Sequence, residues 1–128
     1  MTWKEKKVLI TGAGNSIGRT LSVTYAQHGA EVIIIDKDQA GLQETSDLIR
    51  SGGGLVESYV VDLSKAAEIE QLFRTLDERY DRLGVLINNA GLGISKSPYE
   101  LTVEDWDYVL GTNLRGTFLC SRLAAGIM

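Results

Sequence analysis

The chain has 128 residues, a formal net charge of −4 and 44% hydrophobic residues. This composition is typical of a globular domain with its own core. The acidic balance offers no basic surface for nucleic acid, so we expect no nucleic-acid partner. No apolar run approaches the roughly 18 to 20 residues that a membrane-spanning helix needs. The single cysteine, Cys120, and the single histidine exclude an internal disulfide and a Cys/His zinc site, so we expect no metal and a reducing, cytoplasmic location.

Short apolar runs alternate along the chain with segments of helical periodicity. The apolar runs predict buried strands at residues 8–11, 31–36, 55–62 and 85–88. The periodic segments predict helices at residues 17–26, 38–50, 69–83, 102–110 and 114–123. Ser64 is a plausible N-cap of the third helix. Thr102 is followed by an acid three residues later, which predicts a capping box at the start of the fourth helix.

The resulting order, β-α-β-α-β-α-β-α-α, predicts an α/β fold. Alternating strands and helices favour a doubly wound parallel sheet with right-handed crossovers and helices on both faces. The second strand is a continuous apolar run, as expected for a strand that is buried on both faces. No linker or low-complexity segment interrupts the pattern, so we predict a single domain over residues 1–128.

A glycine-rich turn follows the first predicted strand and opens the first predicted helix. Residues 11–18 read Thr-Gly-Ala-Gly-Asn-Ser-Ile-Gly, and a turn in this context can bind a phosphate. Gly12 would permit the tight turn, Gly18 would let the helix pack against the strand, and the helix N-terminus would offer free N–H groups to a pyrophosphate. The turn alone is also compatible with an α/β protein that binds no ligand there.

An acidic residue, Asp36, ends the second predicted strand. A carboxylate about twenty residues beyond the glycine turn can accept hydrogen bonds from an adenosine ribose and would repel a 2′-phosphate. Lys37 is adjacent but is flanked by Asp36 and Asp38, so the residues favour NAD over NADP. In the alternative interpretation, Asp36 serves only as the N-cap of the next helix.

Polar residues also follow the third and fourth predicted strands. Asp62 follows the third strand, and residues 88–91, Asn-Asn-Ala-Gly, follow the fourth. Ligands of open α/β sheets bind outside these strand ends. Asp62 could contact an adenine edge or cap the turn into the next helix. Residues 88–91 could lie beside a ribose or form a purely structural turn, and the residues alone leave both alternatives open.

Taken in order, these segments and residues 112–116, Thr-Asn-Leu-Arg-Gly, resemble the N-terminal half of a short-chain dehydrogenase/reductase of the classical type. The resemblance covers essentially the whole chain and implies a truncated, Rossmann-like sheet of about four strands in the order 3-2-1-4. It implies an oxidoreductase that transfers a hydride between a nicotinamide cofactor and an alcohol or carbonyl. Ser16 departs from the family pattern, which usually has glycine there, and its Cβ needs room beside the pyrophosphate.

The resemblance also implies a cofactor-binding role for residues in the turn and at the strand ends. Those implied to surround the pyrophosphate are Gly12, Ser16, Ile17 and Gly18. The resemblance implies that Asp36 holds the adenosine ribose and that Asp62 and Leu63 contact the adenine. It implies that the ribose region is lined by Asn89, Ala90 and Gly91. We therefore expect NAD as the cofactor, in preference to NADP. We expect its binding to be weak, because Ser16 replaces a glycine and half of the family's pocket is missing.

In the family a serine, a tyrosine and a lysine act in catalysis, and the tyrosine and lysine stand four residues apart. No tyrosine of this chain is followed by lysine at that spacing. Asn113, which in the family supports a proton-relay water near the lysine, is therefore a catalytic-type residue without its partners. We expect the chain to be inactive alone. The sequence leaves three interpretations open. The chain is half of a split enzyme completed by another chain, a non-catalytic dinucleotide-binding or interaction module, or a folded remnant.

In the family the strand order is roughly 3-2-1-4-5-6-7, so a sheet without the later strands would leave the fourth strand at an edge. Val85, Leu86 and Ile87 would then present unpaired backbone groups, which favour association. The last helices would expose side chains that normally pack on a further strand or on a partner subunit. We expect a homo-oligomer, with a dimer as the default, formed through the fourth strand, the last helices or both.

Overall fold

The strands and helices follow the predicted segments closely. The computed structural model describes residues 2–128. Its strands are β1 (Lys7–Thr11), β2 (Glu31–Asp36), β3 (Leu55–Val60) and β4 (Val85–Ile87). Its helices are α1 (Ser16–Gln27), α2 (Gln39–Ser51), α3 (Ala66–Arg79), α4 (Val103–Leu110) and α5 (Thr117–Ala125), with a π-helical segment, Gly111–Gly116, between α4 and α5.

The strands form one parallel sheet in the order β3-β2-β1-β4. β1 is central, and Leu9 pairs with Ile33 of β2 on one side and with Leu86 of β4 on the other. The predicted α/β class and the order 3-2-1-4 are thereby confirmed. Because the strands run in the same direction, their carboxyl ends meet at one edge of the sheet, where ligands of open α/β sheets bind.

Helices cover both faces of this sheet. One hydrophobic cluster joins Leu9 and Ile33 to side chains of α3 and α5. A second cluster joins Val8 and Val32 to side chains of α1 and α2. Successive strand residues point to opposite faces of the sheet. These four side chains of β1 and β2, two on each face, are all 0% exposed. This burial explains why the two strands are continuous apolar runs rather than alternating ones.

Several predicted boundaries are wrong by a few residues. β3 ends at Val60 and β4 at Ile87, each short of the predicted end, and α3 ends at Arg79 although the apolar spacing continues to Leu83. Leu83 is still buried, because it packs into the core from the loop that follows the helix. Ser64 is not the N-cap of α3, which is preceded by Lys65. The hydroxyl of Ser64 donates to Asp62 Oδ1 at 2.7 Å.

The fourth helix begins with the predicted capping box. The Asp105 N–H donates to Thr102 Oγ1 at 3.0 Å, and the Thr102 N–H donates to Asp105 Oδ2 at 3.1 Å. The side chains of α4 remain outside the core, and none of them is buried. Trp106 is 65% exposed, and Leu114 and Phe118 beyond it are also largely exposed. The last helices therefore present an apolar face that the described residues leave open to solvent.

Two further observations concern the length of the helices and the single cysteine. Among residues 2–128, no helix combines the length and the apolar character needed to cross a membrane. The Cys120 thiol is fully buried against α3, and this burial raises its pKa to about 11. A buried, protonated thiol is a poor nucleophile. The cytoplasmic location stays a prediction.

Candidate functional site

A cavity of about 340 Å³ opens at the carboxyl edge of the sheet. It is bounded by the glycine turn, by the ends of β2, β3 and β4, and by α4. All the residues assigned to cofactor binding from the sequence line it: Gly12, Ser16, Ile17, Gly18, Asp36, Asp62, Leu63, Asn89, Ala90 and Gly91. Four separate segments of the chain thus converge on one crevice.

Gly12 and Gly18 allow the turn to approach β4 and α1 to approach β1. Gly12 has a φ of +66°, and a Cβ on it would lie only 2.8 Å from the Cα of Ala90. A Cβ on Gly18 would collide with the carbonyl oxygen of Gly12. Side chains at either position would separate the elements that form the crevice. These contacts give the two glycines the physical role that their spacing predicts.

Ser16, the departure from the family pattern, stands at the start of α1 with a φ of +45°. This is the left-handed region, in which a Cβ comes too close to the following carbonyl oxygen, at a cost of about 1 kcal/mol or more. Glycine avoids that cost because it has no Cβ. Glycine would therefore relieve backbone strain at this position, in addition to leaving the room that a pyrophosphate would need.

The carboxylate of Asp36 is held by backbone N–H groups at both oxygens. Oδ2 accepts from the Gly14 N–H at 2.9 Å, and Oδ1 accepts from the Asp38 N–H at 3.0 Å. The N-cap residue of α2 is Asp38, so the alternative in which Asp36 caps that helix is wrong. Each carboxylate oxygen retains acceptor capacity for another donor. Asp36 thus ties the glycine turn to β2 and can still accept a hydrogen bond from a ligand hydroxyl.

Arg19 fixes the glycine turn from its other side, a role that the sequence analysis missed. Its Nη2 donates to the carbonyl oxygens of Gly14 and Gly41, at 2.5 and 3.2 Å. Its Nε donates to the hydroxyl of Thr45 at 3.0 Å, and that hydroxyl donates to the Ala13 carbonyl oxygen at 2.8 Å. Arg19 directly follows Gly18, but its position in the sequence does not reveal that α2 supplies two of these partners, Gly41 and Thr45. The network restrains the turn that borders the cavity.

The loop after β4 is held against the glycine turn by Thr11 and Asn89. The buried Thr11 Oγ1 accepts from the backbone N–H groups of Asn89 and Ala90, at 3.0 and 2.9 Å. Asn89 Nδ2 donates to the carbonyl oxygens of Thr11 and Gly12, at 3.1 and 3.2 Å. The side chain of Asn89 therefore fastens the two loops together. Ala90 and Gly91 continue along the wall of the cavity.

Asp62 both shapes its own turn and lines the cavity. Its Oδ1 accepts from the Ser64 N–H at 2.9 Å and from the Ser64 hydroxyl at 2.7 Å. Burial tends to raise the pKa of the Asp62 carboxyl, but the Ser64 hydrogen bonds and the nearby Lys65 and Lys37 hold it below its usual value. The group is therefore a carboxylate at neutral pH. Within the chain, Asp62 therefore caps its own turn, as the second alternative predicts. Because Asp62 also lines the cavity, a ligand there could still reach its carboxylate.

Asn113 lies beside the cavity but does not line it. It belongs to the π-helical segment between α4 and α5. Its Oδ1 accepts from the Leu92 N–H at 2.9 Å, and its Nδ2 donates to the Leu92 carbonyl oxygen at 2.7 Å. These two hydrogen bonds fix the loop after β4 to the segment between the last two helices. The role of Asn113 in a proton relay stays a prediction.

Lys37 and Tyr108 form a contact across the opening of the cavity that the sequence analysis missed. Lys37 Nζ donates to the Tyr108 hydroxyl and lies 4.8 Å from the centre of its ring. The hydrogen bond raises the pKa of Lys37 above its usual value. The two residues are 71 positions apart, so no local pattern indicates their contact. Both line the same cavity as Asp36 and Asp62.

Residues 6–128 match the family model of the short chain dehydrogenases. An uncharacterized oxidoreductase of Thermotoga maritima is 39% identical over 124 residues, which are 97% of this chain and 49% of that protein. A metagenomic short-chain oxidoreductase in complex with NADP has a TM-score of 0.94 at 27% identity, covering 100% of this chain and 58% of that one. A short-chain dehydrogenase/reductase of Burkholderia phymatum in complex with NAD has a TM-score of 0.92 at 31% identity, covering 100% and 46%. The chain spans about half the length of the curated relatives that it matches.

Replacing Thr11 with valine tests the buried hydroxyl that joins the two loops. Thr11→Val keeps the side-chain shape but leaves the N–H groups of Asn89 and Ala90 without their acceptor. We expect the free energy of unfolding to fall by about 2–3 kcal/mol, measured by urea denaturation. Thr24→Val is the matched control on α1, where an exposed hydroxyl bonds only within its own helix, and it should change stability by less than about 0.5 kcal/mol. Equal effects of the two substitutions would contradict the proposed role of Thr11.

Replacing Ser16 with glycine tests the strain at the start of α1. Ser16→Gly removes the Cβ that is unfavourable at positive φ, so the free energy of unfolding should rise by about 0.5–1 kcal/mol after the entropic cost of glycine. Ser16→Ala is the control, because alanine keeps the Cβ and should give no such gain. Thermal and urea denaturation measure both variants. Equal stabilisation by alanine would show that the serine hydroxyl, not the backbone, is responsible.

Proposed function

Because the chain belongs to the short-chain dehydrogenase family, we propose that its cavity binds the dinucleotide cofactor of an NAD(P)-dependent oxidoreductase. The main support is the convergence of the ten residues implied by the family resemblance on one cavity. When bound, the nicotinamide of such a cofactor supplies a hydride donor or acceptor. The residues of this chain would bind and orient the cofactor's other groups.

The pyrophosphate would lie against the glycine turn and the N-terminus of α1. Gly12 and Gly18 keep the backbone free of side chains that would block this approach. The first N–H groups of α1 and the positive end of its dipole would stabilise the phosphate charges. Ser16 and Ile17 would flank the same groups, and the exposed side chain of Ile17 would be covered by the cofactor.

The adenosine would lie at the ends of β2 and β3. Asp36 would accept hydrogen bonds from the ribose hydroxyls with the acceptor capacity that Gly14 and Asp38 leave free. Asp62 and Leu63 would contact the adenine, and residues 89–91 would lie along the ribose region. We propose that NAD is preferred over NADP, because a 2′-phosphate would stand next to the Asp36 carboxylate.

We further propose that residues 1–128 bind the cofactor without turning it over by themselves. The resemblance implies catalysis by a tyrosine and lysine four residues apart, and this polypeptide contains no such pair. Asn113 would contribute to catalysis only together with residues from outside this stretch. Turnover by these residues alone would contradict the proposal, and turnover restored by a complementary polypeptide would favour the split enzyme.

Cofactor titrations of Asp36 variants test the proposed function. NAD and NADP are added to the 128-residue chain while calorimetry or the fluorescence of Trp3 and Trp106 reports binding. Asp36→Asn keeps an acceptor for the Gly14 N–H but removes the charge. We expect about tenfold weaker NAD binding, equivalent to the loss of a charge-assisted hydrogen bond, together with a smaller preference over NADP.

The control for this titration is Asp38→Asn, which removes a neighbouring exposed carboxylate whose side chain makes no cap hydrogen bond. It should leave the affinity for NAD within about twofold of the original value. No binding at millimolar NAD would contradict the proposed function and favour a folded remnant. Binding of both cofactors with equal affinity would contradict only the preference for NAD.

We also propose that the 128-residue chain forms a homo-oligomer, with a dimer as the default. Support comes from the open edge of β4 and from the apolar face of the last helices, where Leu114 and Phe118 are 66% and 57% exposed. Sedimentation should show self-association that Leu114→Lys weakens. Tyr99→Lys, at a position 99% exposed on a loop, is the control and should have no effect. A monomer at high concentration would contradict the proposal.

A further inference from the structure

The contact between Lys37 and Tyr108 bears on which cofactor the site accepts. Lys37 directly follows Asp36 at the end of β2, and Tyr108 lies on α4. The ammonium group donates to the tyrosine hydroxyl and also lies over the ring, with Nζ 4.8 Å from the ring centre. Both side chains border the cavity on the side of Asp36 and Asp62. A cation thus stands beside the position where the adenosine ribose is proposed to bind.

The ammonium of Lys37 bonds to a neutral partner although carboxylates are close by. Asp36 and Asp62 both lie near enough to influence its charge. Within residues 2–128, however, no carboxylate oxygen comes within 4.0 Å of Lys37 Nζ to form an ion pair. The Asp36 oxygens are instead turned toward the backbone N–H groups of Gly14 and Asp38. The tyrosine therefore holds the lysine apart from the carboxylate that would meet the ribose.

A lysine in this place has a second possible partner, the 2′-phosphate that distinguishes NADP from NAD. An ammonium group is a flexible point charge that binds phosphate readily. The ammonium has three donors, but turning toward such a phosphate takes it away from its place at the Tyr108 hydroxyl and over the ring. The Lys37–Tyr108 hydrogen bond is exposed at the rim of the cavity, so a phosphate can compete for the ammonium, but it does so at a cost in affinity.

We propose that Tyr108 determines cofactor specificity by holding Lys37 away from the 2′ position of the adenosine ribose. This inference rests on the proposed function, because it concerns the same cavity. Asp36 disfavours a 2′-phosphate by its charge, and Tyr108 disfavours it by engaging the one lysine that adjoins Asp36. NAD has no 2′-phosphate, so the Lys37–Tyr108 contact has little effect on NAD binding. The contact makes Tyr108 a positioning residue that acts through Lys37.

Loss of the Tyr108 hydroxyl is the direct test. Tyr108→Phe keeps the ring but removes the hydrogen-bond acceptor for Lys37, so NADP should bind about threefold to tenfold more tightly. The affinity for NAD should stay within about twofold. Tyr99→Phe, at an exposed tyrosine outside the cavity, is the matched control and should change neither affinity. Calorimetric titration of the 128-residue chain with each cofactor measures the ratio.

A double-mutant cycle with Lys37→Met shows whether the effect passes through the lysine. Methionine keeps an unbranched side chain without the charge, so Tyr108→Phe in this background should leave NADP affinity unchanged. An equal gain for NADP with and without Lys37 would overturn the inference, as would an unchanged ratio of NADP to NAD affinities in Tyr108→Phe. Failure of the original chain to bind either cofactor would instead refute the proposed function on which the inference rests.

Discussion

The buried hydroxyl of Thr11 stands where the two loops of the site meet, and the geometry of the crevice depends on it. It accepts hydrogen bonds from the backbone N–H groups of Asn89 and Ala90. The side chain of Asn89 in turn donates to the carbonyl oxygens of Thr11 and Gly12. The absence of a Cβ at Gly12 lets the two loops come this close. Because β1 and β4 are parallel neighbours, both loops leave the same edge of the sheet, and their attachment there creates a fixed wall.

Several polar residues around the cavity make structural contacts within the chain. Asp36 orients the glycine turn, Asp62 closes its own turn through Ser64, and Asn113 fixes the loop at Leu92. A group that is already oriented by the backbone loses little side-chain entropy when a ligand binds. Such preorganisation is favourable for a site in which several hydrogen bonds must form at once. It also means that substituting these residues removes contacts that hold the crevice together.

The sequence indicates which residues lie at the carboxyl edge of the sheet more readily than it indicates their contacts. The glycine turn and Asp36 were placed by spacing and by position at strand ends, which the parallel topology brings to one edge. For Asp62 the sequence leaves a structural and a ligand-binding role open, and the structure shows contacts of the structural kind. The capping role suggested for Asp36 and Ser64 was wrong. In both cases a nearby carboxylate or backbone group is a better-placed partner than the helix terminus.

By itself, the sequence determined the alternation of strands and helices, the capping box at Thr102 and the residues available for chemistry. These properties are recorded in neighbouring residues, because side-chain direction repeats with a period of two in strands and 3.6 in helices. Only the tertiary structure decided that Lys37 meets Tyr108, that Arg19 restrains the glycine turn, and that Ser16 adopts a positive φ. The first two contacts join residues of different elements, and the third is imposed by the path from turn to helix. Spacing along the chain does not encode such distances, which arise only when the elements pack.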